Sequence, residues 1–378
     1  MTRALTHVLV ASIAVPAALA GQSGSFVVRL GNDTLAIEQY TRTAEGLQGE
    51  QVIRSPRAAH RIYTATFGPG GAIERFELVT RNVDGGPGPA ETKAAIEFRH
   101  DSAIAQQPRG DTTVTQRFKL RAGALPYCSQ CYGLVEEAVR QARRAGRDRY
   151  TADMLPVGAD EPWTVEVARL GRDSATITLG PIGPLRMRLD DQGTLLGLSG
   201  VGSTMQVTVE RVPQIDFATL GKSFAARPLG PLSPADSVQA TIGEVSLTVR
   251  YHRPSMRGRV IFGNVVPWNQ VWRTGANEAT ELETSADLLI GGTTIPAGKY
   301  TLWTIPSPLG WKLIVNRNTG QWGTAYAPQH DLVRLDMNVE SITRQVEQFT
   351  IAIEPQGDRA VLNLEWGRTR AWIPLSTK

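Results

Sequence analysis

The stretch Leu185-Arg186-Met187-Arg188-Leu189-Asp190 alternates apolar and charged side chains without a break. Met205, Val207 and Val209 oppose Gln206, Thr208 and Glu210 in the same way. A period of two sends alternate side chains to opposite faces, so each strand has one buried and one wet face, the antiparallel pattern. Gly171-Arg172-Asp173 and Asp191-Gln192-Gly193 have hairpin-turn composition. The same period runs back toward the N-terminus, where strands are expected at 26–30, 35–38, 47–54, 61–67, 73–81, 94–99, 113–120, 163–170 and 176–179. Gly31-Asn32-Asp33 suits the turn of the first hairpin.

One segment breaks the period. Leu134, Val135, Ala138, Val139 and Ala142 recur at helical spacing, with Glu136, Glu137, Arg140, Arg143 and Arg144 on the other side. Acids early and arginines late also suit the helix dipole. These patterns predict a curled antiparallel β-meander with one amphipathic helix on its concave side. Pro213, Pro228, Pro231 and Pro234, with Gly221 and Gly230, mark a linker. Beyond it Val245, Leu247, Val249 and Tyr251 alternate against Glu244, Ser246, Thr248 and Arg250. Further strands are expected at 281–290, 299–306, 311–316, 348–354, 360–366 and 370–373, which suggests a β-sandwich or jelly roll. The expected organisation is mainly β: a signal over 1–20, the meander domain over 21–220, a Pro/Gly-rich linker over 221–232 and the sandwich domain over 233–378.

With 378 residues, each half is long enough to bury its own core. The formal charge of +4 comes from scattered arginines, which argues against a nucleic-acid groove. Arg3, the apolar run 8–15 and Ala18-Leu19-Ala20 read as a secretory signal cleaved near Ala20. The expected location is therefore periplasmic or secreted. No apolar run reaches transmembrane length.

Tyr251-His252-Arg253-Pro254, Gly258-Arg259, Ile261-Phe262-Gly263 and Val266-Pro267 lead into Trp272-Arg273-Thr274-Gly275-Ala276-Asn277-Glu278-Ala279-Thr280. Pro296-Ala297-Gly298-Lys299-Tyr300, Thr304-Ile305-Pro306 and Gln321-Trp322-Gly323 follow in order. From 233 to 373 the chain resembles the bacterial domain of unknown function 2911. His252 and Trp303 depart from the small residue and the Phe expected there. The resemblance implies a β domain and no established activity. The first half only faintly resembles bacterial lipoprotein-carrier folds.

The densest directional chemistry lies at 272–280. Arg253, Trp272, Arg273, Asn277 and Glu278, with Trp322 as an aromatic wall, are the candidate ligand-binding residues. A guanidinium fork suits carboxylates and phosphates, and indoles stack on sugar rings or apolar ligands. A structural reading competes, in which Arg273 and Glu278 form a bidentate pair that orders the loop. The functional expectation is a non-catalytic binding module for a small molecule, glycan or envelope component. An alternative is a hydrolase of a cell-envelope or extracellular substrate, with Glu278 as general base. No cofactor or metal is expected, since no close histidine pair, P-loop or dinucleotide fingerprint occurs. Cys128 and Cys131 bracket Ser129-Gln130 just before the helix, as a disulfide or a thiol–disulfide redox pair. A redox motif belongs in a β-α-β unit, and here the expected neighbours are antiparallel.

Overall fold

The computed structural model describes residues 21–83, 85, 89–110, 112–200 and 206–377; the signal over 1–20 lies outside them. Among the described residues, fifteen strands form one sheet and nine form a second. The first sheet is two meanders laid side by side. One runs outward from Gln22–Leu30 to Thr112–Lys119, and the other returns from Leu125–Tyr127 to Thr208–Val212. They join where Gln22–Leu30 pairs with Thr208–Val212, Val28 opposite Val209. The two outermost strands are thus Thr112–Lys119 and the three-residue Leu125–Tyr127.

Helix α1 (Tyr132–Ala145) fills the concave side, as the 3.6 period requires. Its second face is wet only toward the C-terminal end, where Arg143 and Arg144 are exposed. Glu136 and Glu137 are fully buried because the sheet curls around the helix. Burial of these charges is tolerated through pairing. Arg211 lies 2.8 Å from Glu136, while Arg42 and Arg144 lie 2.9 and 3.0 Å from Glu137. The helix also connects two parallel strands, Leu125–Tyr127 and Arg149–Pro156, with Met154 opposite Leu125. Three residues including a proline are too few to show a period, so this β-α-β unit is invisible in the sequence.

At the N-terminus of α1 the buried carboxylate of Glu38 accepts the backbone N–H groups of Tyr132 at 2.7 Å and Gly133 at 3.2 Å. These are amides that the helix itself cannot satisfy. The Tyr63 hydroxyl donates to the same carboxylate. Burial raises the Glu38 carboxyl to about 7, against the pull of those hydrogen bonds.

A second helix, α2 (Phe217–Ala225), occupies part of the segment read as linker. Asp216 caps it by accepting from the Thr219 N–H. Phe217 and Phe224 pack with Ile37, Val52 and Ile215 on the outer face of the first sheet. Nine residues give only two helical turns of pattern, and the flanking prolines and glycines mask it. The linker is tied down as well, since the Leu229 N–H donates to the Arg54 carbonyl at 2.8 Å.

The second sheet is built around two long strands, Asp331–Gln356 and Arg359–Ser376. In the first, residues 331–337 pair with Trp311–Asn316 and residues 338–356 with Arg359–Ser376, the latter pairing interrupted by register shifts between Ser341 and Thr350. The polar run 338–348 hides most of this strand from a hydrophobic pattern. Trp303, Trp311 and Trp366 are fully buried.

The two halves meet at a clasp. The Gly31-Asn32-Asp33 turn receives the loop at Arg257: the Asn32 N–H donates to the Arg257 carbonyl at 2.8 Å, and Arg257 pairs with Asp33. A Cβ at Gly31 would stand 2.0 Å from that carbonyl oxygen, and one at Gly258 would stand 2.2 Å from Asn32 Nδ2. Gly31 also has a φ of 59°, which a Cβ disfavours.

Two outcomes test this account. The neutral Glu38 carboxyl contributes stability that is full below about pH 4.5, its ordinary value, and lost as pH rises through about 7. Denaturation of wild type and Glu38→Gln near pH 4.5 and about pH 8 should show wild type losing about 3 kcal/mol more across that range. Equal losses would place the titration elsewhere. Gly31→Val should part the halves, raising the radius of gyration in small-angle scattering while the β signal of circular dichroism persists. An unchanged radius would mean the clasp is dispensable.

Candidate functional site: a cationic cleft between the sheets

The 272–280 loop is fixed by main-chain pairing on both flanks. Trp272 exchanges backbone hydrogen bonds with Thr304, at 2.8 and 2.9 Å. Glu278 pairs with Trp322 as an isolated bridge. Between them the chain enters the left-handed region at Thr274 (φ 53°) and Asn277 (φ 56°). For a β-branched residue such as Thr274 this is a true outlier, costing on the order of 1–3 kcal/mol. Its environment holds it there. Thr274 is fully buried, its carbonyl accepts from the Thr280 hydroxyl at 2.7 Å, and its own hydroxyl bonds Thr304 at 3.2 Å.

Arg273 emerges from this loop, partly buried, and its Nη1 donates to the Asn277 carbonyl at 3.0 Å. That is the only hydrogen bond of its guanidinium among the described residues, and Arg273 takes part in no salt bridge there. Burial alone lowers its pKa from the ordinary arginine value, with no acidic neighbour offsetting it. The expected Arg273–Glu278 pair does not form. Glu278 turns to the other side and lies 3.3 Å from His252 Nδ1, with its side chain 57% exposed. Gly323 makes room for the arginine, since a Cβ there would stand 2.3 Å from Arg273 Cδ and 2.6 Å from the Asn277 carbonyl.

Arg273 lines a cleft of about 360 Å³ between the two sheets. Trp272, Trp322 and Trp366 wall it, Arg259 and Asn277 add polar groups, and Leu30, Ile182 and Gln206 come from the first half. Trp272 stacks on Trp366 with ring centres 5.9 Å apart and meets Phe349 edge-on at 5.0 Å. Trp322 is 50% exposed. Arg259 donates to the carbonyls of Met256 at 2.9 Å and Ser255 at 2.6 Å, and it likewise enters no salt bridge among the described residues. Among the described residues, no Asp or Glu lines the cleft.

Of the six sequence candidates, Trp272, Arg273, Asn277 and Trp322 converge here. Arg253 does not. It spends its donors on Asp236, the Phe349 carbonyl and Thr350, stapling two strands. Glu278 instead borders an open groove of about 590 Å³ that also holds Asp236, Arg250, His252 and Glu281. Sequence reasoning missed Arg259 and Trp366 as site residues. Gly258-Arg259 stood in the family motif, but nothing in the chain order places it against Arg273.

Cys128 and Cys131 form a disulfide, and Cys131 is the N-cap residue of α1. Gln51 Nε2 lies 3.5 Å from Cys131 Sγ and 3.0 Å from the Gln130 carbonyl. The β-α-β setting that a redox pair wants is present after all. Both cysteines are nonetheless buried, 4% and 3% exposed, which shields the sulfurs from an attacking thiolate.

Residues 233–375 match the model of a family described as protein of unknown function (DUF2911), in agreement with the resemblance read from the sequence. The N-terminal half matches no family model. No curated protein matches the chain. Among solved structures, a β-barrel-like protein of the domain of unknown function DUF1849 from Brucella abortus is similar at 12% identity and a TM-score of 0.33. That likeness covers 51% of this chain and 96% of the other.

The burial of the cysteines has a direct test. Native chain treated with dithiothreitol and iodoacetamide should remain unmodified at Cys128 and Cys131 by mass spectrometry, and alkylate fully only when unfolded. Rapid labelling of the native chain would reopen the redox reading.

Proposed function

We propose that this is an exported, non-catalytic binding module of the bacterial envelope, which holds a ligand bearing an anionic group in the cleft between its sheets. One observation carries the reading: among the described residues, the partly buried Arg273 guanidinium has no carboxylate partner and lines a cleft without acidic side chains. A charge withdrawn from water without a counter-charge is costly. An anionic ligand supplies what the chain withholds, through the fork geometry a guanidinium offers.

The strained backbone at Thr274 and Asn277 supports the same reading. Such conformations persist where a loop is held ready for a partner. A buried disulfide fits an oxidising compartment, in line with the signal expected over 1–20. The hydrolase alternative draws less support, because Glu278 lies outside the cleft and is largely exposed.

Thermal unfolding of the full chain should be followed against a panel of carboxylates, phosphates, sugars, short peptides and divalent metals. A ligand of this site raises the wild-type midpoint by mass action. The shift should vanish in Arg273→Gln, and in Gly323→Ala, where the added methyl displaces the arginine, and should persist in Glu278→Gln. A shift lost in Glu278→Gln and kept in Arg273→Gln would move the site to the outer groove and sink this proposal.

A further inference from the structure

We infer that the ligand is a small apolar monoanion, an aryl or acyl carboxylate, and that both halves of the chain build its site. This rests on the reading of the cleft as a ligand site and goes further in naming the class.

The lining divides into two parts. Arg259 and Arg273 form the cationic part. Each is anchored to main-chain carbonyls, by two N–H groups in Arg259 and one in Arg273, of the five a guanidinium carries. The remaining lining is mostly apolar, with Ile182 and Leu30 of the first half facing Trp272 and Trp366 of the second. A head that accepts from guanidinium groups on a body that stacks or packs on apolar walls fits this division.

The missing residue types narrow the class. A free peptide or amino acid brings an ammonium group, and a cation finds no carboxylate among the described lining residues. A sugar brings a ring of hydroxyl donors that also need acceptors, and the side-chain acceptors are confined to Gln206, Ser233, Ser255 and Asn277. The cleft, about 360 Å³, is in the range of small-ligand pockets, and a medium-chain acyl carboxylate or a phenylalkyl carboxylate suits it.

The division of labour between the halves follows from the same lining. The arginines belong to the second half, whereas Ile182, Leu30 and Gln206 belong to the first. The clasp at Arg257 holds the halves together, so a ligand in the cleft touches both.

Isothermal titration of the full chain would use octanoate and 4-phenylbutyrate as probes, with acetate, inorganic phosphate and octylammonium as comparisons. At least one of the two apolar carboxylates should bind saturably, and the comparisons should not. Arg259→Gln and Arg273→Gln should each weaken that binding by about tenfold or more, the loss expected for one hydrogen bond to a charged group. Ile182→Glu, on the first half, should abolish it with the circular dichroism spectrum unchanged. If acetate or inorganic phosphate binds as tightly and Arg273→Gln removes it, the class is wrong while the cleft stands as an anion site. Full affinity in Ile182→Glu would overturn the shared construction. Should no probe bind while a sugar or peptide shifts the melting midpoint through Arg273, the class inference falls and the site survives. If nothing binds at all, both fall.

Discussion

The contact between the Arg257 carbonyl and the Gly31-Asn32-Asp33 turn sets how the two sheets sit against each other. Side chains are excluded at Gly31 and Gly258, so the backbones approach within hydrogen-bonding distance, and the Arg257–Asp33 pair closes over them. The Arg257 side chain is only 11% exposed, which places this pair in the regime where geometry must be good for burial to be tolerated. Everything in the cleft follows from that approach. Leu30 is adjacent in sequence to the turn, and Arg259 to the loop that enters it. The clasp and the site are therefore one construction: the residues that dock the halves are neighbours in sequence of those that line the gap.

The chain spends stability at this place and recovers it elsewhere. Thr274 and Asn277 adopt left-handed backbone, and two arginines lose hydration: Arg259 with only the Glu347 carboxylate near it and no salt bridge among the described residues, Arg273 with no acidic neighbour among them. Beneath them the aromatic stack of Trp272, Trp366, Phe349 and Trp311 is buried or partly buried and mutually packed. That rigid floor absorbs the strain of the loop above. The contrast with Arg253 is instructive. Three of its five N–H groups are taken by protein partners, so it fastens strands, and it does not line the cleft.

Much of the architecture was legible because β periodicity is a local signal. Leu185 to Asp190 and Val245 to Tyr251 show their buried faces directly, and α1 shows its apolar stripe. What remained hidden was non-local or too short. The wet face assigned to Glu136 and Glu137 was wrong because no local pattern reveals that a sheet will wrap around both sides of a helix. The strand Asp331–Gln356 was read only at its end, because its middle is polar. At the site, composition and motif order singled out Trp272, Arg273, Asn277 and Trp322, which the fold gathers. The same reasoning joined Glu278 to Arg273 because they are five residues apart. In the structure the left-handed turn at Asn277 separates them onto opposite sides of the loop. Ile182 and Leu30 carry no signal at all for a site built across the linker.

A sheet of fifteen strands has two free edges, and unpaired edges invite other chains. Here one edge is Thr112–Lys119, largely exposed and carrying Arg117 and Lys119. The other is Leu125–Tyr127, three residues long with Pro126 at its centre, which offers no N–H for a ladder. Like charges repel a second copy at the first edge, and the second is too short and donor-poor to template one. Those few residues disfavour the strand addition that so long an open sheet would otherwise invite.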